Sequence, residues 1–179
     1  MVPGAIAKRI QAWTWAVLLP NGRFALILEP DMRNWLVVLS EDNWRICAQE
    51  RLLSVGRDAE RRLSRMADGD RVWIYVNRMY VDHQVPRIRE LRAVVRVVGH
   101  VRQLETSPWK PRGRQQFNVA RPIVIEQHCQ IPILDLLKTM SFSAQPPAWG
   151  IRLRGAPLRL TDEDVAKLKD ALDAAPTSL

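Results

Sequence analysis

Asn34-Trp35-Leu36-Val37-Val38-Leu39-Ser40, followed directly by Glu41-Asp42-Asn43-Trp44, is the stretch on which the fold turns. Seven residues rich in β-branched and aromatic side chains, bounded by polar ones, read as a buried strand. Ser40 suits a helix N-cap, and Glu41-Asp42 place negative charge in the first turn, so a helix is predicted to about Gln49. Outward from this pair the pattern keeps alternating between elements. Leu52 to Val55 reads as a second short strand. A second helix is expected from about Asp58 to Ala67, with Ala59, Leu63 and Met66 on one face. Asp68-Gly69-Asp70 is a turn, after which Val72, Ile74 and Val76 alternate with Trp73 and Tyr75 in a strand.

Long strands are predicted over about Glu90–Val101 and Phe117–Glu126. Pro132 opens a short helix, Ile133 to about Met140, because proline suits a first helical position. Short strands follow near Ile151–Leu153 and Leu158–Leu160, and Thr161 caps a last helix whose first turn holds Asp162-Glu163-Asp164 and which ends near Leu172. Strands outnumber helices, so the class is α+β with a curled sheet or small barrel. Residues 1–31 fit this pattern less well. Lys8 and Arg9 precede an apolar run, Ala12 to Leu19, that is too short to span a membrane and ends in the turn Pro20-Asn21-Gly22 with no convincing cleavage site. A second run, Phe24 to Leu28, closes at Glu29-Pro30. The segment is expected to be either a hairpin-like extension or translated upstream sequence, with Met32 as the start of the regular chain.

The 179 residues suffice for one domain with a core. The formal charge is +8, and of 27 basic residues 22 are arginine. Arginine presents a planar fork that grips phosphate and stacks on bases, which points to a polyanionic partner. Two cysteines, Cys47 and Cys129, make neither a disulfide framework nor a metal pair, and His83, His100 and His128 form no cluster, so no metal or other cofactor is expected. A reducing cytoplasm is the simplest compartment.

No Gly-rich phosphate loop or nucleophile elbow is present, and the acidic runs sit where helix dipoles favour them, so no catalytic residues are assigned and an enzyme is not expected. The arginines carry more information. Arg57, Arg61 and Arg65 recur every four positions, a rail suited to phosphates or simply a solvated face. Residues 87–121 hold nine basic residues against Glu90 and Glu105. Within them, Trp109 stands in the loop Ser107-Pro108-Trp109-Lys110-Pro111-Arg112-Gly113-Arg114, without apolar neighbours in sequence. It either stacks on a base or folds back as a loop anchor, while Lys110, Arg112 and Arg114 are placed to meet phosphates.

The residues Asn34 to Ser40, Asn43-Trp44, Gly69-Asp70-Arg71-Val72-Trp73-Ile74-Tyr75-Val76, Ser141-Phe142, Trp149-Gly150 and Leu160-Thr161-Asp162-Glu163-Asp164, in that order and spacing, resemble the EVE domain of the PUA-like superfamily. The resemblance runs from about Met32 to Leu172. It implies a PUA-like small β-barrel of mixed strands with flanking helices over 32–175, leaving 176–179 as a tail. It also implies a reader of modified bases in DNA or RNA, similar in plan to YTH domains, whose aromatic cage holds a methylated adenine. On that plan Trp109 matches a cage tryptophan, and Ser40, Asn43 and Ser54 fall where polar groups meet a base edge. Leu53-Ser54 stands where related domains carry a tryptophan and a small residue. Leucine offers an apolar wall but no indole, so the pocket is half a cage, uses Trp44 or Trp149 instead, or has lost base binding; Phe142 is counted among its lining residues.

The leading expectation is therefore a reader of a modified, single-stranded or flipped-out base, with no membrane partner. The alternative is a non-specific nucleic-acid or protein-interaction module that keeps the fold without base selectivity. Oligomeric state is not encoded in these features.

Overall fold

The computed structural model describes residues 14–18, 24–28, 32–56, 59–78, 87–109, 117–143, 153 and 156–175. The chain divides into two units, 1–32 and 33–179. In the first, β1 (Thr14–Leu18) and β2 (Phe24–Leu28) pair antiparallel, with Leu18 opposite Phe24.

The second unit runs β3 (Asn34–Ser40), α1 (Glu41–Glu50), β4 (Leu52–Leu53), α2 (Ala59–Leu63), β5 (Arg71–Arg78), β6 (Glu90–Val97), β7 (Arg102–Gln103) and β8 (Val119–Pro132). It continues through α3 (Leu134–Lys138), a 3₁₀ turn at Ser141–Ser143, β9 (Leu158–Arg159) and α4 (Asp162–Asp173). The sheet order is β4-β8-β6-β5-β3-β9, with β7 also paired to β8. β3 and β5 are parallel, whereas every other pairing is antiparallel. A parallel pair cannot be joined by a tight turn, so α1, β4 and α2 form the crossover between β3 and β5. The result is an α+β fold: a curled mixed sheet with helices α1 to α4 beside it.

Both faces of the sheet are covered, which is why both alternating sets of β5 side chains are buried. Val72, Ile74 and Val76 join Val37, Leu39, Val95, Trp44, Cys47 and Leu63 in one core under α1 and α2. Trp73 and Tyr75 join Leu36, Leu91, Val94, Leu137, Phe142 and Leu168 in a second core under α3 and α4. Buried carboxylates tie the margins. Asp70 accepts from the Trp35 indole Nε1 (2.7 Å), the Ala67 N–H (2.8 Å) and the Arg33 N–H (3.0 Å). Thr161 and Asp164 form a capping box on α4, and Asp164 also accepts from the Ser141 N–H (2.8 Å) and hydroxyl (2.5 Å).

Several element bounds differ from the sequence expectation for physical reasons. The helix expected over 58–67 is α-helical only to Leu63 and then tightens into turns, Arg65 N–H bonding to Arg62 O and Met66 N–H to Leu63 O. The Arg121 guanidinium takes the carbonyls of Leu63 and Met66 that a longer helix would have used. β6 stops at Val97 because Gly99, at φ +71°, turns the chain and donates its N–H to Asp68 Oδ1. β8 runs on to Pro132, which pairs with Glu90, so this proline closes a strand and α3 begins two residues later. Leu153 is helical, not extended, while Ile151 and Arg152 lie outside the described residues.

Candidate nucleic-acid interface

α1 organises the candidate site. Ser40 has the extended backbone of an N-cap (φ −85°, ψ 160°), but its hydroxyl makes no capping bond and is buried without a partner among the described residues. Glu41 in the first turn is buried and bridges Arg45 Nε (3.2 Å) and Arg92 Nη2 (3.3 Å). Asn43 is half-buried, its N–H on Asp42 Oδ1. Trp44 and Cys47, three residues apart and hence on one face, both enter the first core. Trp44 meets the His128 ring at 6.2 Å between centroids, tilted by 57°.

The helix ends at Arg51, which adopts the left-handed conformation (φ 53°) and donates its N–H to Cys47 O. This αL cap reverses the chain into β4, pairing Leu52 with Pro122 and Leu53 with Arg121. Leu53 and Ser54 are fully buried, and the Ser54 hydroxyl has no partner among the described residues.

Trp109 arrives from the other side. The Ser107 hydroxyl lies 2.7 Å from Phe117 O and accepts the Trp109 N–H at 3.2 Å, so one side chain holds both ends of the loop. The indole is 2 % exposed and packs on Phe117 at 6.2 Å. The sequence shows Trp109 among polar residues, but the return of the loop to Phe117 gives it apolar neighbours in space. Its Nε1 meets no oxygen or nitrogen acceptor among the described residues and has only the Cys47 thiol beside it. It lies beside the Cys47 thiol, where the Ser54 backbone N–H also converges. Burial pushes that thiol up to about 12, with the Ser54 and Trp109 N–H groups acting against the rise. Cys47 is therefore a protonated packing residue at neutral pH, where Leu53, Ser54 and Trp109 come together, and not a nucleophile. No sequence motif marked it for this position.

Other expected residues separate from this group. Phe142 is buried in the second core, on the opposite face of the sheet from Leu53 and Trp109, because the Asp164–Ser141 bonds hold its turn under α4. Trp149, Arg57, Lys110, Arg112 and Arg114 lie outside the described residues. Arg61 and Arg65 are exposed, but Arg65 sits in the turn after α2, so the helical rail is broken there.

The basic concentration over 87–121 is partly structural. Arg92 pairs with Glu41 and Glu90, and Arg96 with Glu126. Arg121 is buried, donating to Leu63 O (3.0 Å), Met66 O and Gly99 O (2.8 Å). Desolvation lowers its pKa, opposed by the nearby carboxylates of Asp68 and Asp70. Strand alternation was the available signal, since Val119, Arg121 and Ile123 share one inward face.

No group of three or more His, Cys, Asp or Glu side chains suited to a metal occurs among the described residues, and none of the described helices is long and apolar enough to cross a membrane. No family model and no curated protein matches the chain. Solved structures do. The Mmi1 YTH domain in complex with RNA superposes with a TM-score of 0.53 at 11% identity, covering 79% of this chain and 78% of that one. The YTH domain of Zygosaccharomyces rouxii MRB1, in complex with N6-methyladenosine RNA, gives 0.53 at 12% identity over 87% and 94%. Rpa0253 from Rhodopseudomonas palustris gives 0.52 at 14% identity over 83% and 99%. The chain is thus similar in fold plan to the YTH domains.

Proposed function

We propose that this chain is a nucleic-acid-binding module of the EVE type that reads a modified base between Leu53, Ser54 and Trp109, with Ser40 and Asn43 on the approach from α1. The observation that carries the reading is a pair of buried polar groups: the Ser54 hydroxyl, without a hydrogen-bond partner among the described residues, and the Trp109 indole N–H, which has only the weakly accepting Cys47 thiol beside it. A buried polar group left unpaired costs ~1–3 kcal/mol, and a base edge would satisfy such groups while its face covers the indole. The RNA held by two YTH domains of the same fold plan favours RNA over DNA as the ligand. Exposed Arg61 and Arg65 are available to phosphates. The activity proposed is binding, not catalysis, and the two free thiols fit a reducing cytoplasm.

A second reading, a module without base selectivity, is favoured by Leu53: an aliphatic side chain stands where the cage plan calls for an indole. The test is a titration against short single strands of RNA and DNA carrying plain, 5-methylated, 5-hydroxymethylated and N6-methylated bases at two salt concentrations. A preference of about tenfold, ~1.4 kcal/mol, for one modified strand is expected, and Trp109→Ala should abolish the preference more than it weakens plain-strand binding. Uniform, salt-sensitive binding would select the second reading.

A further inference from the structure

The outer face of the sheet, opposite Leu53 and Trp109, carries a charge arrangement the base site does not use. Arg71 on β5 and Arg96 on β6 are directly opposed in register, a like-charge pairing that destabilises a sheet. One carboxylate serves both: Glu126 Oε2 lies 2.7 Å from Arg71 Nε, and Oε1 lies 3.1 Å from Arg96 Nε. Each of these ion pairs is made through Nε, at 2.7 and 3.1 Å, and Arg96 remains half exposed. Lys169 on α4 is exposed and unpaired among the described residues.

These three cations rim a cavity of about 540 Å³ floored by Trp73 and Val94 and walled by Val124, which is 45% exposed. An adjoining cavity of about 620 Å³ shares Gln127 and Leu172 with it and carries Glu90 and Asp173. Positive charge is therefore concentrated at the Arg71–Arg96 end.

We propose that this cavity is a second contact for the nucleic-acid strand whose base occupies the Leu53–Trp109 site, holding a backbone phosphate on Arg71, Arg96 and Lys169. The proposal rests on the functional reading above. Continuity along β8 commits the occupant. Leu53 pairs with Arg121, whereas Val124 and Glu126 lie three and five residues further on the same strand, ~10–17 Å away at ~3.3 Å per residue. Between them the edge of the sheet is marked by Arg51, exposed in side chain, whose carbonyl accepts the Ile123 N–H. A strand leaving the base site over this edge meets a cation at the turn and three on the far face. An acidic peptide would suit the same cations but gains nothing from their continuity with the base site.

The full chain and an Arg96→Ala/Lys169→Ala variant are titrated with three probes. These are a single-stranded RNA of roughly 12 nucleotides bearing the preferred base, a trinucleotide around that base, and a polyglutamate peptide. The variant is expected to bind the long RNA about tenfold more weakly, with its log–log salt slope reduced by about 1.4 for two lost cations, and to bind the trinucleotide as wild type does. Glu126→Gln, which removes the one carboxylate, is expected to tighten the long RNA about threefold. Unchanged affinity and slope for the long RNA, an equal loss on both RNAs, or a loss confined to polyglutamate overturns the second contact. If Trp109→Ala abolishes binding of the long RNA and the double variant does not, only the outer contact falls. A wild-type chain that binds neither RNA removes the functional reading itself.

Discussion

Among the buried tryptophans, Trp35 and Trp73 are of one kind and Trp109 of another. Trp35 donates to the Asp70 carboxylate at 2.7 Å and Trp73 to the Asn34 amide oxygen at 3.1 Å. Trp109, as deeply buried, has only the Cys47 thiol beside its N–H, and the buried Ser54 hydroxyl is unpaired among the described residues. Around Asp70 and Asp164 each buried carboxylate has several donors. Native interiors satisfy nearly all buried polar groups; single atoms of Glu41, Glu90, Arg92 and Arg121 are also unpaired among the described residues, but those residues make other polar contacts, whereas the Ser40 and Ser54 hydroxyls make none. The contrast separates scaffold from site without reference to any ligand.

The comparison can be broken by substitution. Asp70→Ala strips the acceptor from three donors at once and is expected to destabilise the fold by ~3 kcal/mol or more, read as a lower urea midpoint with unchanged slope. A loss below about 1 kcal/mol would show that Asp70 is not the tie the geometry implies. Asp164 gives a pH test of the same kind. Burial works to raise its carboxyl, but hydrogen bonds from Ser141 and Thr161 outweigh this and hold it below the ordinary 3.8. A carboxyl depressed in the folded state contributes stability that is fully present above its unfolded pKa and is lost as pH falls through the folded value. The urea midpoint should therefore decline as pH is lowered through and below about 4, and Asp164→Asn should flatten that decline. An identical decline in the variant would assign the acid sensitivity elsewhere.

The smallest effect has the opposite sign. Ser54→Ala removes a hydroxyl that has no partner, so it is expected to leave stability unchanged or raise it by up to ~1 kcal/mol, while weakening modified-base binding. Destabilisation by more than this would mean that Ser54 belongs with Asp70 as scaffold, and the contrast would fail.

What could be read in the sequence follows this same division. The strand Asn34–Ser40, the helix after it and the Thr161 cap rest on local pattern, and the structure places each as expected. Loop composition and resemblance single out Trp109 and Leu53-Ser54; Trp109 and Leu53 enter one core with Cys47, and the Ser54 backbone N–H and Trp109 indole meet its thiol. The rest needed tertiary information. Phe142 lies on the other face because Asp164, twenty-two residues later, holds its turn. Arg121 counts as surface charge in any composition, yet strand alternation turns it inward to end α2. The outer pair Arg71 and Arg96 becomes visible only when β5 and β6 are in register.

The parallel pairing of β3 with β5 has a consequence for how affinity is built. The segment from Glu41 to Asp70, which supplies Ser40's neighbour helix, Cys47, Leu53 and Ser54, starts and ends on two adjacent strands of the sheet. Its conformational entropy is lost when the chain folds, so that wall adds little ordering cost when a ligand arrives. The Trp109 wall is tied through the Ser107 hydroxyl, a bond worth ~1 kcal/mol net. If Leu53, Ser54 and Trp109 hold a base as proposed, substitution of Ser107 is expected to alter dissociation rates, while changes in α1 alter whether the site forms.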